Sequence, residues 1–294
     1  MFRPAVYSAV PTAFTSSGEL DRRSTMRLFE HVVAGGVDTL FVNGTTGEFP
    51  ALSRRERLEC LRLAIDVAGR DQVVAHVGAA SPHHTAELAS DARSIGITRM
   101  SVVTPYFLPA SATGVRKQVA AVAGAGVTDG LYLYVFPDRT GVALSPSEAA
   151  AILEEFDLAG IKISIPGTDY VHAISEALST PRDILSGNDD LLPEVIAAGA
   201  TGIVSGVSAS VPAPFAGLAD ALASGDQSRS SALNGLIKRL VAVLGLSIAG
   251  LKYSLALQGV IDSPTCRMAI DDPTEQDRVA IARALTAEVG FVLR

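Results

Sequence analysis

Cysteine is nearly absent from this chain: Cys60 and Cys266 are its only copies. Two cysteines make neither a disulfide framework nor a zinc site. Lysine is almost as scarce, supplying only Lys117, Lys162, Lys238 and Lys252 among 24 basic residues. Charged residues total 19%, with a formal charge of −7 and a pI near 5.3. That balance, with no basic tail, argues against nucleic acid or an anionic membrane surface as the main partner. No apolar run reaches the ~18 residues that a membrane-crossing helix needs. Met1-Phe2-Arg3-Pro4 leads directly into a strand-like run without a secretory layout, so a cytoplasmic protein is expected. What the chain does have is 294 residues, 48% of them hydrophobic, ample for one large α/β domain or two smaller ones.

The apolar runs alternate with helical patterns. Residues 5–11 read as a first strand, and Asp21 can cap a helix over 22–34 whose stripe is Leu28, Phe29, Val32 and Val33. A second strand over 37–42 ends in the polar loop Asn43-Gly44-Thr45-Thr46-Gly47-Glu48. Ser53-Arg54-Arg55-Glu56 forms a capping box for a helix with Leu58, Leu61, Ile65 and Ala68 on one face. The unit repeats with strands at 72–77, 100–103, 131–134, 158–163, 183–185 and 201–205. Their helices are expected to 94 from Ser81-Pro82, near 113–123, from the Ser145-Pro146-Ser147-Glu148 cap, and near 168–178 and 191–198. Eight βα units in roughly 220 residues predict an α/β fold, a (β/α)8 TIM barrel. No Gly-x-Gly-x-x-Gly follows the first strand, which removes the main support for a dinucleotide-binding sheet. From about 211 the pattern is helical only, over 212–223, 227–244, 249–257 and 273–287. The expected division is therefore a barrel over 1–210 carrying the active site, with a helical extension over 211–294 packed on it.

One stretch stands out against this scaffold. Lys162 is the only charge in Leu158-Ala159-Gly160-Ile161-Lys162-Ile163-Ser164-Ile165-Pro166, a short β-branched run that reads as a buried strand. Burial favours the neutral amine, a nucleophile towards carbonyls and the starting point of Schiff-base chemistry. The residues alone leave a second reading open, in which the stem is buried and the head snorkels to the rim.

Active sites of barrels form at the C-terminal ends of the strands. Gly44-Thr45-Thr46-Gly47-Glu48 lies there, and its amides and hydroxyls could hold a carboxylate or simply turn the chain. Tyr134 ends the fifth strand, where its phenol could relay protons or plug the barrel mouth. Arg139, in Asp138-Arg139-Thr140-Gly141, suits a second carboxylate or a plain surface turn. His83 and His84 are adjacent, share no helix face and have no partner at ligand spacing, so no metal is expected. His31 and His172 fall in helices and call for no special role. His76 lies in the third strand, either lining the barrel or hydrogen-bonded in the core.

As a set, these motifs resemble the dihydrodipicolinate synthase / N-acetylneuraminate lyase family of class I pyruvate-handling aldolases. The resemblance runs from Val10-Pro11-Thr12-Ala13-Phe14 through the Gly44–Glu48 loop, Thr104-Pro105-Tyr106 and Tyr134-Val135-Phe136-Pro137-Asp138-Arg139-Thr140-Gly141. It continues through Gly160-Ile161-Lys162, Ser186-Gly187-Asn188-Asp189 and Gly202-Ile203-Val204-Ser205, and ends with the segment from Leu251-Lys252-Tyr253 to Gly259 and Arg267. It implies that Lys162 forms an imine with pyruvate or another 2-keto acid, with no cofactor. It implies that Thr45 and Thr46, beside Gly47, hold the acid's carboxylate, that Thr45 also joins the proton relay, and that Tyr134 is the acid/base. By the same resemblance Arg139 would bind an acidic group on a second, aldehyde substrate, and the backbone around Val204 would face the keto acid. Family members are usually homotetramers, dimers of tight dimers.

Three departures accompany the match. After Tyr106 the synthases carry a second tyrosine, lent to the neighbouring subunit; here it is Phe107. The residue after the tyrosine, often Asn, is Val135, and the residue after the lysine, commonly acidic, is Ile163. The leading expectation is a Schiff-base lyase resembling 4-hydroxy-tetrahydrodipicolinate synthase. The alternatives are a 2-keto-3-deoxy sugar acid aldolase or dehydratase of the same family, and a catalytically silent keto-acid-binding barrel.

Overall fold

In the computed structural model, which describes residues 2–126, 130–245 and 247–290, strands form where short apolar runs lie between turn residues. β1 (Ala5–Ala9) precedes α1 (Arg22–Ala34), β2 (Thr39–Val42) precedes α2 (Arg54–Ala68), β3 (Val73–His76) precedes α3 (Pro82–Ser94), and β4 (Met100–Val103) precedes α4 (Ala112–Gly124). β5 (Leu131–Val135) leads through a single helical turn, α5 (Pro137–Thr140), into α6 (Pro146–Glu155). β6 (Gly160–Ile163), α7 (Asp169–Ala177), β7 (Asp183–Ser186), α8 (Leu192–Ala197) and β8 (Gly202–Ser205) complete the alternation. The helices α9 (Pro212–Ser224), α10 (Gln227–Leu244), α11 (Ile248–Leu257) and α12 (Glu275–Val289) follow. Among the described residues the eight strands close into a parallel barrel in chain order, the (β/α)8 fold that the sequence predicts.

The caps are as local chemistry dictates. Asp21 accepts from the Ser24 amide at the start of α1, and the Ser53–Glu56 and Ser145–Glu148 boxes start α2 and α6. Some expectations shift. β1 stops before Pro11, which has no N–H to pair, and the Phe136–Gly141 loop contains the turn α5. On α2 the buried face is Arg57, Cys60, Leu61, Leu63 and Ala64, while Leu58, Ile65 and Ala68 are half-buried. The stripe rotates because Arg57 is drawn inward, its guanidinium carbon 5.5 Å from the centre of the Phe49 ring.

Residue contacts divide the chain into two compact units. One holds residues 73–204, with β3 to β7, most of β8 and the helices α3 to α8. Its core includes Val102, Leu133, Ile152, Ile161 and Ile203. The other joins residues up to Gln72 with those from Ser205 onward. Within it α9 packs against β1 and α10, and α12 packs against α10 and α11. The end of α1 meets the start of α9 so closely that a Cβ on Gly35 would stand 2.2 Å from Pro212 Cγ. Of the two expected domains, residues 1, 127–129, 246 and 291–294 lie outside the described residues. Among the described residues no single helix is long and apolar enough to cross a membrane.

Candidate active site

β5 and β6 pair in register with Tyr134 opposite Lys162, and Lys162 is in turn opposite Leu185 of β7. Both Tyr134 and Lys162 are buried, at 1% and 5% exposure. The lysine head does not snorkel away: Nζ stands 4.1 Å from the centre of the Tyr134 ring. Strand alternation sets which neighbours share this face. Val103, Tyr134, Lys162 and Leu185 are register partners across β4 to β7. Val135 and Ile163, one residue further on, turn to the opposite face, where both are fully buried. Two of the three departures from the family pattern therefore place their side chains on the face away from Lys162.

Tyr134 is held on several sides. Its ring stacks on Phe136 at 5.9 Å between centroids, and the Arg139 guanidinium lies over Phe136 in turn at 5.9 Å. His76, buried in β3, meets the Tyr134 ring edge-on at 6.1 Å, which gives this histidine a place beside the site. Ser164 Oγ reaches toward the Tyr134 hydroxyl at 3.5 Å, the long end of hydrogen-bonding range. Ser164, just beyond the end of β6, carries no signal in the sequence other than its spacing of two from Lys162, which continues the same face. Arg139 is exposed on α5. That turn is fastened by Thr140, whose hydroxyl accepts from Thr104 Oγ1 at 2.9 Å and donates to the Phe136 carbonyl at 3.0 Å. Asn188 secures the loop after β6, donating from Nδ2 to the Ile165 carbonyl at 2.9 Å and the Gly167 carbonyl at 3.2 Å.

One layer deeper, Tyr132, Gly160 and Asp183 are register partners. The Tyr132 hydroxyl donates to the Asp183 carboxylate at 2.7 Å across the glycine. Only glycine fits there, because a Cβ at 160 would lie 2.1 Å from the Asp183 carbonyl oxygen. Val204, on β8, is buried at 2% exposure. Tyr106 is half-buried, whereas Phe107 is 89% exposed and adopts φ +77°, a left-handed conformation unusual for a side-chain-bearing residue.

Thr45, Thr46 and Gly47 belong to the other compact unit, in the turn after β2. Both threonines are half-buried and Gly47 is buried. The Gly47 and Glu48 amides donate to the Gly44 and Thr45 carbonyls, and Thr12 Oγ1 donates to the Gly47 carbonyl at 2.8 Å. Asn43 and Glu48, at either end, both take positive φ, near 60° and 56°. Cys60 is not a competing nucleophile, since burial pushes its thiol up to about 12. His83 and His84 are exposed at the start of α3, and no cluster of three or more metal-binding side chains occurs among the described residues.

Comparison with known proteins covers nearly the whole chain. The Dihydrodipicolinate synthetase family matches residues 4–288. An uncharacterized DapA-like lyase of Halobacterium salinarum is 33% identical over 98% of this chain and 94% of its own length. The 4-hydroxy-tetrahydrodipicolinate synthase of Thermomicrobium roseum is 32% identical over 98% and 96%. Among solved structures, the chloride-inhibited dihydrodipicolinate synthase of Acinetobacter baumannii, complexed with pyruvate, superposes with a TM-score of 0.90. It shares 27% identity and covers 99% of this chain and all of that one. With its closed eight-stranded barrel and a match from residue 4 to residue 288, the chain belongs to the dihydrodipicolinate synthase family and is a lyase of that family.

Proposed function

We propose that the chain forms a covalent imine between Lys162 and the keto carbon of pyruvate or a related 2-keto acid, and carries it through an enamine to an aldol-type step. The observation that carries this reading is the Lys162–Tyr134 pair, an amine held 4.1 Å over a phenol ring on adjacent strands with both side chains buried. Attack of Nζ on the carbonyl gives a carbinolamine, and Tyr134 supplies the proton with which its hydroxyl leaves as water. The phenolate so formed takes a proton from the methyl carbon to give the enamine, whose carbon attacks an aldehyde, and the phenol returns that proton to the new alkoxide. Hydrolysis of the imine returns the lysine. Thr45 and Thr46, beside Gly47, take the keto-acid carboxylate, and the Thr45 hydroxyl joins Tyr134 in the relay. Arg139 meets an acidic group on the aldehyde partner, as its exposed place on α5 allows. Val204 presents its backbone to the keto acid. Tyr106 and Phe107 shape the entrance; Phe107 has no hydroxyl and moves no proton.

The reading needs no cofactor beyond the lysine. A cytoplasmic homotetramer built as a dimer of dimers, with the barrel over 1–210 and the extension over 211–294, completes it. The likeness to 4-hydroxy-tetrahydrodipicolinate synthases, and Arg139 in its turn, favour that reaction. Phe107 in place of a tyrosine favours the second reading, an aldolase or dehydratase for 2-keto-3-deoxy sugar acids. Incubation with pyruvate and borohydride, followed by peptide mapping, tests the core. A mass increase on the peptide carrying Lys162, lost in Lys162→Ala, is expected; no adduct, or one that persists in the variant, refutes it. Turnover with a panel of aldehydes and 2-keto-3-deoxy acids then chooses the second substrate.

A further inference from the structure

The turn that carries Thr45 and Thr46 ends in a charged residue sealed from water. Glu48 is 1% exposed and takes the left-handed conformation, at φ 56° and ψ 41°. A side-chain-bearing residue stays there only if its surroundings hold it. They do so from far along the chain: the Glu48 carboxylate accepts from Lys252 Nζ on α11, 204 residues away. Its second oxygen accepts from the backbone amides of Arg267 and Met268, both at 2.7 Å. Lys252 is fully buried, donates also to the Thr265 carbonyl at 2.9 Å and stands 4.2 Å from the centre of the Phe14 ring. The Arg267 guanidinium lies 4.4 Å from the same ring and forks onto Glu56 of α2 at 2.6 and 2.9 Å. The end of the turn is therefore tied to α11 and to the segment 265–268, and through Arg267 to the start of α2.

Stability alone does not call for such a construction. A buried ion pair usually gains little over well-packed apolar side chains of the same size, because both charges lose their hydration. What the pair supplies is direction: a carboxylate with several donors can sit in one place only, and so can the backbone that carries it. A Gly-Thr-Thr-Gly turn otherwise has much conformational freedom to lose when a ligand binds.

We propose that Glu48, Lys252 and Arg267 are positioning residues that set the Thr45–Thr46–Gly47 turn in its keto-acid-binding shape before substrate arrives. The proposal rests on the reading of that turn as the carboxylate site. The test is the pyruvate concentration that gives half-maximal borohydride-trapped adduct on Lys162, measured beside the melting temperature. The variants are Glu48→Gln, Lys252→Met, the double variant and Arg267→Lys. The single variants strand a buried charge and melt lower; the double variant removes both charges and recovers most of that loss. If the network positions the turn, the double variant still needs at least tenfold more pyruvate for half-maximal adduct, while saturating pyruvate still labels Lys162. Arg267→Lys, which keeps the backbone bond to Glu48 but loses the fork to Glu56, needs two- to fivefold more. A wild-type half-saturation point in the folded double variant overturns the proposal. Should that variant not fold, an unchanged value in Arg267→Lys overturns it instead. Absence of adduct in the wild-type chain is a different result and refutes the imine reading itself.

Discussion

Replacing Glu56 by glutamine removes one negative charge from the first turn of α2 and keeps the shape of the side chain. The carboxylate accepts from Arg267 Nη2 at 2.6 Å and Nη1 at 2.9 Å, from the Ser53 amide at 2.9 Å and from the Ser53 hydroxyl at 2.8 Å. The bonds from Arg267 do most to lower the Glu56 carboxyl from 4.5 to about 2; burial opposes them and Ser53 adds to them. A group held below its unfolded value stabilises the fold fully above about pH 4.5, and that contribution drains away as pH falls towards 2. At ~1.4 kcal/mol per unit, the shift bounds the contribution at about 3 kcal/mol. The Glu56 side chain is 17% exposed, and solvent screening of the pair brings the working figure to roughly 1–2 kcal/mol. About half of this is gone by pH 3. Reversible urea unfolding of both proteins, stepped from pH 7 to pH 3, measures it. Glu56→Gln is expected to be about 1–2 kcal/mol less stable at pH 7, with the gap narrowing by about half at pH 3. A gap of equal size at both ends of the range would show that the charge contributes nothing and that the fork to Arg267 is mere contact.

Two further outcomes follow from the barrel interior. Tyr134→Phe keeps the ring beneath Lys162 and its stack on Phe136 but removes the hydroxyl, so trapping of the pyruvate adduct is expected to slow by ~10²-fold or more at an unchanged melting temperature. Trapping at the wild-type rate would remove the phenol from the relay. Gly160→Ala places a methyl 2.1 Å from the Asp183 carbonyl oxygen and 2.7 Å from its Cβ, so β6 and β7 must part, at a cost of about 2–3 kcal/mol. An unchanged melting temperature in that variant contradicts the register of β6 on β7.

Most of the element order was legible in the sequence because its signals are local. A strand needs a short apolar run between turn residues, and the caps at Asp21, Ser53 and Ser145 close hydrogen bonds to residues three positions away. The α2 stripe is not legible locally: a periodicity count puts Arg57 outside, whereas the side chain lies beside Phe49, which no local pattern reveals. Ser164 is within reach of a period-two count from Lys162. Glu48 reads in the sequence only as part of a loop, since nothing near it in the chain announces Lys252 or the Arg267 amide.

By itself, the sequence determined that eight strands alternate with helices and that one lysine among four lies in an apolar strand, because burial and turn chemistry are written within a few residues. The tertiary structure alone decided what that lysine faces. Strand register set Tyr134 beside Lys162 and turned Val135 and Ile163 away, and folding brought Glu48 and Lys252 together across 204 positions. Side-chain direction in a sheet and pairing of distant charges depend on where whole elements stop and start, and only the closed barrel fixes that.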